Sequence, residues 1–202
     1  MNYLAVDTSN GYMSVVARKG ERVFTSFTPD CAMKHSVLIM EKIDEAFNAL
    51  DMKAEECDFF SAVVGAGSFT GIRIGISAIK GFALACNKPT LPVTSFDIAT
   101  YNAVDSKILC LVDALHGYYY ACGYTFGEVT FAPAYISEEE VLSLQSQGYA
   151  LYSCDKLPIE TQIVSPEQGL LKAVETKAQT GGFAPLDALY IRKSSAEINA
   201  GR

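Results

Sequence analysis

Two hexapeptides, Asp7-Thr8-Ser9-Asn10-Gly11-Tyr12 and Asp113-Ala114-Leu115-His116-Gly117-Tyr118, align without gaps, and a valine precedes the aspartate in both. The echo matters because the same order of elements surrounds each copy. In the first half, "YLAVD", "GYMSVVAR" and "ERVFTSFT" read as strands bounded by turn residues. "HSVLIMEKIDEAFNALDM" follows as a helix with Met40, Ile43, Phe47 and Leu50 as its apolar row. "DFFSAVVG" is a strand, "IRIGISAIKGFALAC" a helix, "KPTLPVTS" a strand and "FDIATYNAV" a short helix. In the second half, "KILCLVD", "GYYYACGYTF" and "EVTFAPAY" are strands. "SEEEVLSLQSQ" is a helix with a capping box of Ser137 and Glu140. "YALYSC" is a strand, and "PEQGLLKAVETKAQ" a helix with proline in its first turn. Repetition of element order together with the DxxxGY echo implies a duplicated domain.

The expected fold is therefore α/β: two domains, residues 1–104 and 105–202, each a mixed five-stranded sheet with flanking helices. This is the actin-like (ASKHA, ribonuclease H-like) architecture, shared by actin, hexokinase and Hsp70. Proteins of that group bind nucleotide between their domains. In this chain the two strand-turn-strand corners, Asp7 with Thr8 and Ser9, and Asp113, would face the phosphates. Backbone N–H groups at such a corner cradle an anion, and an aspartate holds a metal-bound water. The alternative is that each aspartate bonds its own turn. The first corner has one glycine, Gly11, and the second has Leu115 and His116 where a phosphate loop needs small residues. Gly181-Gly182 in "TGGFAP" is a weak candidate for an adenosine-binding stretch. These features predict a reduced, vestigial nucleotide cleft.

Charge and cysteine usage narrow the function classes. The net charge is −7. Residues 1–104 hold 9 basic and 11 acidic side chains, and the remainder hold 7 and 12. Neither half carries the clustered Lys and Arg of a nucleic-acid footprint. The six cysteines form no CxxC pair and no zinc spacing, and several sit in apolar runs, which predicts reduced core thiols. The N-terminus has no basic region before its apolar run, and no run approaches the ~20 apolar residues of a membrane span. A cytoplasmic protein without membrane contact is expected.

The stretch "GAGSFTGIRIG", Gly65 to Gly75, satisfies no phosphate-binding motif. A P-loop needs lysine and Ser or Thr after its last glycine, where this chain has Ile72 and Arg73, and a dinucleotide fingerprint fails at Thr70. Ser68 and Thr70 can cap the following helix. Gly71 and Gly75 share a face of it with Ala78 and Phe82. A helical glycine costs ~1 kcal/mol against alanine, so close approach by another element should offset it. That element is either the chain's own sheet or a helix of another molecule.

The same eleven residues resemble the GPGSFTGxRIG signature of the TsaB (YeaZ) family. "LAVDTS", "KHSVLIMEKIDEAF", "LVDALHGYYYA" and "ALYIRK" are similar to other stretches of that family. The resemblance is strong over residues 1–125 and thin from there to about 184. It implies a non-catalytic subunit of the bacterial machinery that forms N6-threonylcarbamoyladenosine at position 37 of tRNAs reading ANN codons. The implied partners are a metal-holding catalytic paralogue of the TsaD type and a TsaE-type ATPase. A homodimer is implied for the chain alone, tRNA contact only through the complex, and no firmly bound cofactor. ATP or ADP would bind at the interface with partners. The resemblance also tips the glycine face toward an intermolecular role. The expected partner face runs from His35, Ile39 and Ile43 through Ser68, Phe69 and Thr70 to Gly71, Ile72, Arg73, Gly75, Ala78 and Phe82. Gly75 is expected on an exposed face of the monomer.

Two departures stand out. Ala66 replaces the family's proline, so a less rigid loop is expected. The chain is short for the family, with the loss expected in the second domain. The paralogue's metal rests on two histidines one helical turn apart, but here Ile39 follows His35 at that spacing. No metal site is expected, and an inherited M22 metallopeptidase label is disfavoured, since Ser68 lacks an evident base and no HExxH occurs. A stand-alone actin-like ATPase or kinase is the other reading.

Overall fold

The computed structural model describes residues 1–192. The chain runs β1 (Asn2–Asp7), β2 (Met13–Lys19), β3 (Arg22–Thr28), α1 (His35–Leu50), β4 (Phe59–Val63), α2 (Phe69–Cys86), β5 (Thr90–Val93) and α3 (Ser95–Asn102). It continues through β6 (Lys107–Asp113), β7 (Tyr118–Thr125), β8 (Glu128–Ser137), α4 (Glu138–Ser146), β9 (Ala150–Ser153), β10 (Gln162–Ile163) and α5 (Pro166–Gln179).

The strands form two five-stranded sheets, β3-β2-β1-β4-β5 and β8-β7-β6-β9-β10. In each, a meander of three antiparallel strands is extended by two parallel ones. The duplication is thus visible strand for strand, with β1 matching β6, and Asp7 and Asp113 ending the two central strands. Those central strands are almost wholly buried, which is why they read as continuous apolar runs rather than alternating ones.

The helices do not repeat as cleanly. α1 and α2 cover one face of the first sheet, over a core that includes Leu4, Val6, Ile43, Phe60 and Ile79. Between β9 and β10 there is no helix, only the loop 154–161, which places Leu157 and Ile159 against the outer core of the second sheet beside α4. Among the described residues the second half thus has no counterpart of α2. α5 does not cover the second sheet either. Its Leu170, Ala173 and Val174 bury against Tyr3, Ala5, Val16 and Phe59 of the first. α3 in turn lays Phe96 and Ala99 on the second sheet's Cys110 and Cys122, while Ile98 faces the α5 side. The division near residue 104 therefore separates the sheets but not the helices. An ion pair between Lys177 and Asp97, 2.6 Å apart, joins α5 to α3.

Local chemistry sets the helix ends. Ser68 caps α2 by accepting from the Gly71 N–H (3.3 Å), so the helix starts at Phe69, three residues before the expected Ile72. α4 carries the expected Ser137–Glu140 capping box, and Pro166 opens α5 behind the Ser165 cap. The pair Gly181-Gly182 terminates α5: Gly181 takes φ +77°, and the Gly182 N–H donates to the Lys177 carbonyl (2.8 Å). That stretch serves as a helix stop. α2 is apolar enough over 18 residues to match a membrane span by composition, contrary to expectation, yet its row Gly71, Ile72, Gly75, Ile76, Ile79, Ala83 is packed on the first sheet.

Candidate functional site

The first corner is closed on itself. Asp7 is fully buried, and its Oδ1 accepts from the Ser9 N–H (2.8 Å) and the Ser9 hydroxyl (2.6 Å). Its Oδ2 accepts from the Tyr12 hydroxyl (3.0 Å). Burial pushes the Asp7 carboxyl up, opposed by those hydrogen bonds. Ser9 is shared further, 3.1 Å from the Ser95 hydroxyl, and its carbonyl accepts from the Ser68 N–H (2.7 Å). The Thr8 hydroxyl donates to the Gly71 carbonyl (2.7 Å). Asp7, Thr8 and Ser9 thus bond their own turn and the loop that opens α2, the second of the two readings open from sequence.

The second corner is looser. Asp113 is exposed and accepts from the Leu115 N–H (2.8 Å). Leu115, His116 and Gly117 follow with three successive positive φ angles. Near both corners is a residue that sequence reading passed over, half-buried Asp155. Burial raises its carboxyl, an N–H from Gly11 lowers it, and the nearby Asp7, Asp113 and Asp30 raise it again. The region is acidic, which opposes a phosphate.

"GAGSFTGIRIG" is a packing device directed at this corner. A Cβ on Gly67 would lie 2.2 Å from the Ser9 carbonyl oxygen, on Gly71 2.0 Å from the Thr8 carbonyl oxygen, and on Gly75 2.6 Å from the Thr8 hydroxyl. Glycine lets the helix rest directly on the end of β1. The expectation of an exposed Gly75 is wrong: it is buried against its own sheet. Ala66 is likewise no slack point, being 1% exposed, packed on the second sheet's core, and held by the Ser95 hydroxyl on its carbonyl (2.6 Å).

Several other members of the expected partner face are internal too. His35, Ile43 and Ile72 are buried, and Ile39 is almost so. The His35 Nε2 pairs with the Tyr12 carbonyl at 2.9 Å. Among the described residues no three His, Cys, Asp or Glu side chains converge as a metal set. Phe82 is half-buried between the rings of Phe47 and Phe60. The buried row of α1 is His35, Ile39, Ile43, Ala46, Leu50, so Met40, read as core from its spacing, turns outward.

What remains outward forms a groove. Ser36, Ile39 and Met40 of α1 and Phe69, Thr70, Arg73, Ile74, Ser77 and Ala78 of α2 line an open trough of about 570 Å³. Met33, just before α1, and Val37 on it are 93% and 76% exposed. Arg73 stacks its guanidinium 3.7 Å from the Phe69 ring centroid, and the Tyr190 ring stacks on the same Phe69 at 4.5 Å. Of the residues expected at a partner surface, Ile39, Phe69, Thr70, Arg73 and Ala78 line this trough, and Ser68 precedes Phe69 at the cap of α2. Ser36, Met40, Ile74 and Ser77, which also line it, were missed. The available signal was a second apolar spacing, Met33 just before α1 and Val37 and Met40 on it, offset from the buried row.

The cysteines are free. Burial pushes the Cys57 and Cys110 thiols up to about 12, which keeps them protonated and poorly nucleophilic.

The family model described as "TsaD: tRNA N6-adenosine threonylcarbamoyltransferase" matches residues 26–174. The tRNA threonylcarbamoyladenosine biosynthesis protein TsaB of Bacillus subtilis is 28% identical over 128 residues, covering 62% of this chain and 56% of that protein. A tRNA N6-adenosine threonylcarbamoyltransferase of Staphylococcus carnosus is 35% identical over 86 residues, covering 42% of this chain and 24% of that one. The chain spans about half the length of the curated TsaB relatives it matches. A crystal structure from Pseudomonas aeruginosa, described as similar to peptidase YeaZ, superposes with a TM-score of 0.77 at 19% identity, covering 95% of this chain and 99% of that one. On the extent of the family match, and on the group to which these relatives belong, the chain belongs to the tRNA N6-adenosine threonylcarbamoyltransferase (TsaD) family, within its TsaB (YeaZ) group.

Proposed function

We propose that this protein is a non-catalytic subunit in the formation of N6-threonylcarbamoyladenosine at position 37 of tRNAs reading ANN codons. It pairs through the α1–α2 groove with a TsaD-type catalytic paralogue, and the pair recruits a TsaE-type ATPase. ATP or ADP binds at the interface with those partners rather than in this chain alone, and tRNA is met only through the complex, in the cytoplasm. In the absence of the paralogue the same groove pairs two copies of the chain.

The observation that carries the reading is a contrast between two places. The groove is open and apolar, with Met40 of α1 in its lining and Val37 of α1 and Met33, just before that helix, exposed. The corner where a nucleotide would bind is shut, with the carboxylate of Asp7 occupied by Ser9 and Tyr12. A chain with an unpartnered apolar helix pair and self-satisfied polar groups is built to bind protein.

Mixing the protein with the TsaD-type paralogue of its own source, and measuring affinity by calorimetry, tests it. Met40→Glu places a charge in the docking surface without touching the core, and burying it unpaired should weaken association about 100-fold or more. A Met40→Glu variant that binds like the wild type would remove the groove from the interface.

A further inference from the structure

After α5 the chain returns across both halves as a strap, Phe183 to Arg192. It first pairs with the edge of the first sheet, where the Ala184 N–H donates to the Thr90 carbonyl (3.1 Å) and the Thr90 hydroxyl to the Ala184 carbonyl (2.7 Å). Leu186 is then buried in the α1–α2 core. The Leu189 N–H donates to the Val64 carbonyl (2.7 Å), and the Leu189 carbonyl oxygen lies 2.6 Å from where a Cβ on Gly65 would stand. Gly65, at φ +127°, is the residue that lets the strap lie flat on the end of β4. Tyr190 stacks on Phe69, and its hydroxyl accepts from the Arg73 Nε (2.9 Å). Ile191 packs on the core of the second sheet. Arg192 lies over Tyr135 of β8, 5.0 Å from the ring centroid, and donates to its hydroxyl (3.3 Å).

One segment therefore touches three things in ten residues: the first sheet's edge, two side chains that line the groove, and the last strand of the second sheet. Tyr190 does not line the groove itself. It stands behind Phe69 and Arg73, whose side chains do. Ring stacking and the bond to Arg73 fix both in place, and Arg192 anchors the far end of the strap on the other half.

We infer that the strap couples the groove to the second half, with Tyr190 as a positioning residue for the docking surface. The inference rests on the docking reading above. Docking on Phe69 and Arg73 is favoured when the strap is seated, so a bound partner must in turn hold the strap seated. The strap forms no ladder of its own: two backbone bonds to the first sheet, at Ala184 and Leu189, and side-chain contacts at Leu186, Tyr190, Ile191 and Arg192 hold it, so it can open as a local unit.

The test combines binding to the TsaD-type paralogue with hydrogen exchange, on the full chain. Tyr190→Ala should weaken binding about ten-fold, the scale of one lost aromatic stack with its cation–π neighbour. Tyr190→Phe keeps the stack and should stay within about two-fold, the scale of one exposed hydrogen bond. Arg192→Ala touches only the second sheet's Tyr135 and should still weaken binding a few-fold, whereas a purely local groove would not register it. The partner should slow exchange of the Leu189 amide. If Met40→Glu abolishes binding while Tyr190→Ala and Arg192→Ala bind like the wild type and the Leu189 amide exchanges equally fast with and without partner, docking stands and the coupling is wrong. If Met40→Glu binds normally, both are wrong.

Discussion

Gly75→Ala and Gly71→Ala separate two explanations of the same glycines. On an exposed helix either change should stabilise the chain by about 1 kcal/mol through helix propensity. In the structure the methyl added by Gly75→Ala would sit 2.6 Å from the Thr8 hydroxyl oxygen. That hydroxyl is itself fixed on the Gly71 carbonyl at 2.7 Å and cannot swing away freely. Overpacking of this kind costs roughly 1–3 kcal/mol, so the net effect is a loss of about 1 kcal/mol. For a chain of this size that is about 2–4 °C in Tm. At Gly71 the obstacle is the Thr8 carbonyl oxygen at 2.0 Å, which moves only if β1 or α2 moves. The loss there should reach about 3 kcal/mol or more, the top of the overpacking range. Thr8→Ala then discriminates. It removes the hydroxyl and costs about 1 kcal/mol for the lost hydrogen bond. In that background Gly75→Ala should become stabilising, because its obstacle is gone, while Gly71→Ala should remain as damaging as before. Thermal and urea melts of dilute monomer read all four terms as a double-mutant cycle. Strict additivity of Thr8→Ala and Gly75→Ala, or a Gly71→Ala variant as stable as the wild type, would refute the seating of α2 on the first corner.

Asp155 holds its proton more firmly in the folded chain than in the unfolded one, through burial and the nearby Asp7, Asp113 and Asp30. Its ionisation therefore opposes folding: the penalty is absent below the ordinary carboxylate value of about 4 and complete above the raised folded value. Asp155→Asn, which still accepts from Gly11, should raise Tm at neutral pH and lose that advantage as pH falls to about 4; a gain that persists unchanged in acid would be inconsistent with the charge argument. With a net charge of −7, the isolated chain should bind tRNA weakly at physiological salt, since few counterions are released. Submicromolar tRNA affinity in filter binding under those conditions would contradict it.

The strand plan was legible because it is written in local terms. Each half opens on a buried strand that ends in aspartate, followed across short turns by two more strands, and the sheet orders follow. The targets of the helices were not legible. Gly71 and Gly75 announce that something approaches α2 closely, but their spacing cannot say whether it is Thr8 or another molecule. Met40 and Ile39 are neighbours in sequence and about 100° apart around α1, so one step of phase moves a side chain from core to surface. α5 shows an apolar face suited to either sheet, and only the packed structure assigns it to the first. β10 is two residues long and has no periodicity to read.

The asymmetry between the halves explains where a docking surface can exist. A helix pair that covers a sheet presents an outer groove only if both helices are present, as α1 and α2 are. In the second half the helix matching α2 is replaced by the loop 154–161, which fills the outer core with Leu157 and Ile159 and leaves α4 without a neighbour of its own kind. The same loss leaves Asp155 at the start of that loop, beside the Gly11 amide and near both corners. One structural change thus does two things. It confines the paired-helix groove to the first half, and it leaves the Asp155 carboxylate close to Asp7 and Asp113. The duplicated fold therefore carries an open paired-helix groove on the first half and a filled outer core on the second.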